Sequence, residues 1–327
     1  MEVERMWTCK EMKKEGWDHL KGTIWPAVLL TLVFFILTGT MQFIQQFIST
    51  IRLYADTTQL NQLENTLNAN GAATSAAGSL NSSFQSMGLS LISLLISFLV
   101  LLALFFVTNP LSVGYSRWFL TNRTSDGQPS IKILFSMFKS GSFMGAVAGM
   151  GWMTLWVMIW SFVGSLCLIP FTFGIIFFIT FVVLKSITAM DPTGNGDVTD
   201  PQALLNEIVH QMQLIPAYVY VIFALFFVIG IAGYLVILLN RKYAYMFTSF
   251  ILSENPAYGA KKALELSICM SKGMKGKLFL LDLSFIGWWI LSMLTLNLLS
   301  LGVTPYQYSA YAEVYSWRKI DQNIVIE

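Results

Sequence analysis

From Phe143 to Leu184 the chain runs for 42 residues without a charged side chain or a histidine. Few folds tolerate such a run. A helix buried in hydrocarbon does, because it satisfies its own backbone N–H and C=O groups and needs only about 20 apolar residues to cross a bilayer. Other stretches share this character: Ile24–Ile44, Met87–Val107, Ile215–Leu239 and Leu278–Leu294. The long run itself breaks at Ile169-Pro170, so its span is taken as Phe143–Ile169. A weaker sixth span covers Leu299–Tyr315 and contains Pro305 with Tyr306, Tyr308, Tyr311 and Tyr315. The expectation is an all-α, polytopic bundle of six transmembrane helices over residues 24–327. A cytoplasmic amphipathic lead over 1–23 precedes it, and outer segments cover 45–86 and 170–214.

Composition excludes the alternatives. Hydrophobic residues make up 55% of the chain and charged residues only 12%, against about 25% charged in a soluble domain. The mean hydropathy is +0.62. That rules out a soluble enzyme and a disordered chain. The net charge of +2 leaves no strongly basic face for a phosphate backbone, so no nucleic-acid partner is expected. Cys9, Cys167 and Cys269 form no CxxC pair, and three cysteines make no complete disulfide set. His19 and His210 lie in different polar segments, so neither a metal nor another cofactor is expected.

Charge distribution sets the expected orientation. With both termini in the cytoplasm and six spans, 18 of the 20 Lys and Arg residues fall on the cytoplasmic side, and only Arg52 and Lys185 fall outside. Counting Phe171–Leu184 as a separate span would move the basic residues between Arg241 and Lys277 outside. That run is therefore read as an extension of the third helix or as a helix lying in the outer interface. The residues before Ile24 are too charged for a secretory signal. With Trp7, Trp17 and Trp25 they fit a helix lying at the interface.

The outer segments carry surplus apolar residues. Ile44, Ile48, Ile51, Leu60, Leu63 and Leu67 recur at helical spacing, and the small-residue stretch Gly71–Ser83 is read as the turn back. If Phe143–Ser186 is helical throughout, it is about 66 Å long. Asp200-Pro201 is a helix start, followed by an apolar face of Leu204, Leu205, Ile208, Val209 and Met212. These features imply a helical crown with an apolar interior outside the membrane; the alternative is a break at Pro170 with the run lying on the bilayer. Asp191, Asn195 and Asp197 lack EF-hand spacing and read as a solvated turn. On the inner side, Ile131, Leu134, Phe135 and Phe138 follow helical spacing, and a second amphipathic helix runs from Asn255-Pro256 to Gly273. Both suit either anionic lipid or a docked protein.

No nucleophile elbow, zinc-protease motif, Walker A loop or dinucleotide fingerprint is present, so no catalytic residues are assigned and enzymatic activity is not expected. Asp282 is read as the acid well inside a span and is a functional candidate on that ground; pairing with a lysine at a helix end is the competing reading. Gly145 and Gly149, then Gly230 and Gly233, are spaced for close helix packing. Trp152, Trp156 and Trp160 recur at i, i+4, i+8 on one helix face, which suits either core or lipid packing or an apolar ligand groove. Phe177 is the candidate ligand contact in the outer extension.

The C-terminal third reads Tyr243-Ala-Tyr-Met, Glu254-Asn-Pro, Met270 with Lys272, Gly273 and Lys275, then Leu281-Asp-Leu-Ser-Phe-Ile-Gly-Trp-Trp, Pro305-Tyr306 and Val314-Tyr315. Asn109-Pro110, Gly114 and Arg117 follow the second span. This pattern resembles the multi-pass membrane family catalogued as domain of unknown function 975, common in Gram-positive bacteria. The chain departs from the family's pattern after Ile169-Pro170, where extra residues intervene. The resemblance implies a six-helix bundle in a bacterial plasma membrane and brings no activity. The resulting expectation is a non-enzymatic protein in contact with membrane lipids. It binds a hydrophobic peptide or lipid at its outer crown, in an immunity, envelope or transporter-accessory role beside a transporter subunit. The alternative is a transporter or permease for a small amphipathic solute.

Overall fold

The computed structural model describes residues 7–39, 75–125, 127–139, 141–190 and 201–322, together with Gln46 and Thr50; among them every regular element is a helix. Four helical stretches are long and apolar enough to cross a membrane: Leu94–Thr124, Phe143–Thr188, Ala217–Glu254 and Lys275–Leu294. A fifth is gained if α1 (Cys9–Leu20) and α2 (Ile24–Gly39), bent by 96°, count as one broken span. Apart from Gln46 and Thr50, the residues from Ile44 to Leu67 lie outside the described residues, as does the acidic stretch Asp191–Asp200. The chain divides into two compact units, Met1–Met153 with Tyr245–Glu327, and Thr154–Ala244.

The first unit is built around its C-terminal helix. At its start, α1 is fixed by a capping box: Thr8 Oγ1 accepts from the Glu11 N–H, and the Thr8 N–H donates to Glu11 Oε2 at 2.9 Å. Its buried face, Met12, Gly16 and Leu20, repeats every four residues and packs on α12 (Ser300–Asp321). Gly16 permits this closeness, since a Cβ there would sit 2.8 Å from the Ala310 nitrogen. Its carbonyl accepts from Ser309 Oγ at 2.8 Å. α3 (Ser75–Thr124) is a single helix through Pro110. The described part of Gly71–Ser83, from Ser75 on, is therefore already helix, as its run of alanines and small residues permits.

The last turns of α3 bury Tyr115, Trp118 and Phe119. Gly114 admits the Leu134 carbonyl of the next element, Ile131–Phe138. That element is a 3-10 helix rather than the α-helix its spacing implies. Ser130 caps it, and Leu134 and Met137 fill its buried side. α8 (Thr248–Glu254) packs on α3, joined by Ser116 Oγ to Ser249 Oγ at 2.8 Å. A 3-10 turn, Pro256–Tyr258, leads into α9 (Gly259–Ser271), where the sequence implied one amphipathic helix.

The segment 278–294 of the sequence reading is α10 (Lys275–Leu283) followed by α11 (Ile286–Leu294). The chain returns through Leu296 and Asn297, both at positive φ, with the Asn297 N–H donating back to the Ser292 carbonyl at 2.8 Å. α12 is not among the helices apolar enough to span. Its tyrosines pack inward: Tyr308 contacts Tyr115, Phe119 and Phe250, and Tyr315 stacks on Phe250 at 5.4 Å between centroids.

The second unit is an antiparallel hairpin. α4 (Phe143–Ser165) passes through a 3-10 turn, Leu166–Leu168, into α5 (Ile169–Met190), so the helix continues past Pro170 as an extension of the third span. Proline is tolerated there because it stands in the first turn of α5, where a backbone N–H would have no partner within the helix. Opposite runs α7 (Ala217–Tyr245). Trp160 lies against Arg241, Gly164 against Tyr234, Cys167 against Gly230, Phe171 against Phe227, Gly174 against Phe223 and Phe178 against Tyr220. Contacts advance by three or four residues on each helix, and a small residue faces a large one at several levels.

α6 (Pro201–Gln213) begins at Pro201 as the sequence implies and packs on α5, where Val182, Ser186 and Gln211 are buried. Its apolar face is not turned inward: Leu205, Val209 and Met212 are exposed. The contact with α5 joins the apolar Val182 to the polar Ser186 and Gln211, and most of the first outer segment of the expected crown lies outside the described residues.

Candidate functional site

Three acids of the first unit each centre a polar cluster around α12. The Asp282 carboxylate on α10 accepts hydrogen bonds from Gln307 Nε2 at 3.2 Å and from the Tyr311 hydroxyl. Gln307 Nε2 also donates to the Tyr311 oxygen at 2.5 Å. Asp282 is half-buried and is held by two neutral donors one turn apart on α12.

Glu313 lies deeper, 2% exposed. Its Oε2 accepts from Arg123 Nε at 2.7 Å. Its Oε1 lies 2.9 Å from His19 Nδ1, but the approach is poorly aimed because that nitrogen faces the Glu15 carbonyl at 3.0 Å. The His19 carbonyl in turn accepts from Asn122 Nδ2 at 3.1 Å. One carboxylate thus ties the ends of α1 and α3 to α12.

The third cluster centres on Glu254, whose Oε2 accepts from Tyr315 at 3.0 Å and from Lys319 at 2.8 Å. Nearby, Arg318 donates to the carbonyls of Met270 and Lys272. On α1, read as interfacial, a hydrogen bond from Lys21 holds the Asp18 carboxyl below the usual carboxylate range.

Sequence reasoning singled out Asp282 and passed over Glu313, which lies two residues from the end of the predicted span 299–315. The signal was there: an acid among Ala310, Tyr311, Ala312, Val314 and Tyr315 has no aqueous neighbour in its own helix. Among the described residues no three His, Cys, Asp or Glu side chains gather as a metal site requires.

The other sequence candidates separate by unit. In the first, the Trp152 ring is 38% exposed. Gly145 meets the Pro256 carbonyl, and a Cβ on Gly149 would lie 2.5 Å from Leu252 Cδ1. In the second, Trp156 and Trp160 are half-buried. The Arg241 guanidinium sits 3.6 Å from the centre of the Trp160 ring, a cation–π contact. Phe177 is 75% exposed. Cβ atoms on Gly230 and Gly233 would lie 2.9 Å from the Cys167 carbonyl oxygen and 3.3 Å from its Sγ. These glycines therefore set the separation of the hairpin.

The exposed apolar surface concentrates in the hairpin. Only 6% of the most apolar window is buried in Phe143–Thr188 and in Ala217–Glu254, against 17% in Leu94–Thr124 and 22% in Lys275–Leu294. A family model described as "Protein of unknown function (DUF975)" matches residues 6–323. No curated protein and no solved structure matches the chain.

Proposed function

We infer, for a chain that belongs to the DUF975 family, a non-enzymatic membrane protein whose α4–α7 hairpin binds a hydrophobic peptide or a lipid. The observation that carries this reading is the stretch Phe143–Thr188: 46 residues, about twice what a bilayer crossing needs. The excess falls in α5, where Phe173, Ile176 and Phe177 are exposed, with the open apolar face of α6 beside it. Apolar rings beyond the hydrocarbon core need a partner other than water. An immunity, envelope or transporter-accessory role in a bacterial plasma membrane fits such a surface. The charge asymmetry supports six passes with cytoplasmic termini. In that arrangement α12 is the sixth, screened from lipid by α1, α3 and α8.

Native mass spectrometry of the purified chain tests the reading. A defined hydrophobic ligand is expected to co-purify and to be lost in Phe177→Ala or Trp156→Ala. A chain that carries no such ligand, or holds it unchanged in both variants, contradicts the idea.

One observation favours a second reading, transport of a small amphipathic solute: Asp282, Gln307 and Tyr311 bring a carboxylate and two donors together on α10 and α12. Solute flux into proteoliposomes that Asp282→Asn abolishes would favour transport over ligand binding.

A further inference from the structure

The elbow between α1 and α2 forms one wall of a half-open apolar pocket of about 400 Å³, and α11 and α12 form the other. That volume falls within the roughly 300–1,000 Å³ of small-molecule sites. Trp17 and Leu20 line it from α1, Val28 from α2, Trp288 from α11, and Gly302 and Tyr306 from α12. Gly302 faces open space, since a Cβ there would meet nothing within 4 Å.

The helix at its rim is basic on one side. At 3.6 residues per turn, Lys10, Lys13, Lys14, Trp17 and Lys21 fall within an arc of about 100°. Glu11, Glu15 and Asp18 fall on the adjoining arc, and Asp18 pairs with Lys21 at 2.7 Å. Lys13 Nζ lies 4.4 Å from the centre of the Phe285 ring and 6.0 Å from that of Tyr306, itself a pocket wall. Lys13 Nζ also donates to the Ser284 carbonyl at 3.1 Å. An ammonium has three donors, so Lys13 can hold that carbonyl and an anion together.

We propose that this pocket takes one acyl chain of an anionic phospholipid, with the headgroup phosphate against Lys13 and the lysine face of α1. Two features select this occupant. An apolar peptide would bring backbone N–H and C=O groups into a pocket whose walls are almost all carbon, at a cost in unpaired donors and acceptors. A neutral lipid would bring no net counter-charge to Lys10, Lys13 and Lys14, the lysines of this face besides Lys21, which pairs with Asp18. The site is separate from the hairpin of the second unit and does not depend on ligand binding there.

The test is native mass spectrometry of the full chain from nanodiscs holding equal phosphatidylglycerol and phosphatidylcholine. The wild-type chain is expected to retain one phosphatidylglycerol. Gly302→Phe fills the pocket and is expected to lower that occupancy by about tenfold or more, equivalent to losing roughly 1.4 kcal/mol of binding. Its melting temperature should not fall, because glycine is the weaker helix former. If it does fall, Gly302→Leu is the smaller plug that separates occlusion from misfolding. Lys13→Gln is expected to reduce the preference for the anionic lipid about fivefold, the factor given by about 1 kcal/mol per lysine at an anionic surface. Unchanged occupancy in a folded Gly302 variant, equal retention of both lipids by the wild-type chain, or a peptide in place of the lipid would overturn the proposal.

Discussion

The cluster around α12 in the first unit and the hairpin of the second place their aromatic residues in opposite ways. In the first, Tyr115, Trp118, Phe119, Phe247, Phe250 and Tyr315 are buried against one another, and the acids Glu254, Asp282 and Glu313 are each met by donors from another helix. In the second, Phe162, Phe173, Phe177 and Tyr218 are exposed, and contact between the helices runs through glycines, one cysteine and facing rings. The first is packed as a folded core, and the second presents its aromatic side chains outward. In a membrane the distinction matters, because lipid already solvates an apolar helix and burial alone drives little association. Polar ties and close packing hold the first cluster together; in the hairpin of the second unit, small residues pack against large ones.

Substitutions can break this contrast, and the largest effect belongs to the first unit. Trp118→Ala removes a fully buried ring and its Nε1 hydrogen bond to the Pro129 carbonyl at 3.2 Å. A loss of about 4 kcal/mol is expected in reversible unfolding from detergent micelles. Arg123→Ala follows at about 3 kcal/mol, because Glu313 stays buried with only the poorly aimed His19 beside it. Glu313→Gln should cost less, since it leaves no buried charge; an equal or greater loss would show that Glu313 does more than anchor Arg123. Gly230→Leu pushes α7 away from the Cys167 carbonyl, and overpacking of this kind costs about 2 kcal/mol. Its effect should stay within the hairpin, visible as faster amide exchange over α5 and α7 and little change in α12. Phe177→Ala, at an exposed site, should shift stability by less than about 0.5 kcal/mol while removing bound ligand. A stability loss as large as that of Trp118→Ala would erase the contrast between the units.

Much of this architecture was legible in the sequence. Pattern and caps placed the starts of α6 at Pro201 and of α4 at Phe143, because these depend on nearby residues. The 3-10 form of Ile131–Phe138 was not legible, since it depends on the Leu134 carbonyl pressing into Gly114. Glu313 itself stood out among apolar neighbours, but its partner did not: Arg123 lies 190 residues away in sequence, and no local pattern announces such a pair. The tyrosines of α12, read in the sequence as those of a weak span, pack against Tyr115, Phe119 and Phe250. The pocket at the elbow was invisible because a 96° bend creates it, and no periodicity encodes the lining it shares with α11 and α12.

The most direct measurement is photo-crosslinking from position 177. A benzoyl-phenylalanine placed there in the living cell, followed by mass spectrometry of the adducts, samples what touches α5. The account predicts one dominant hydrophobic peptide or lipid species, strongly enriched over the bulk membrane and competed away by added ligand. Adducts that mirror the bulk lipid composition, with no enriched species, would contradict it.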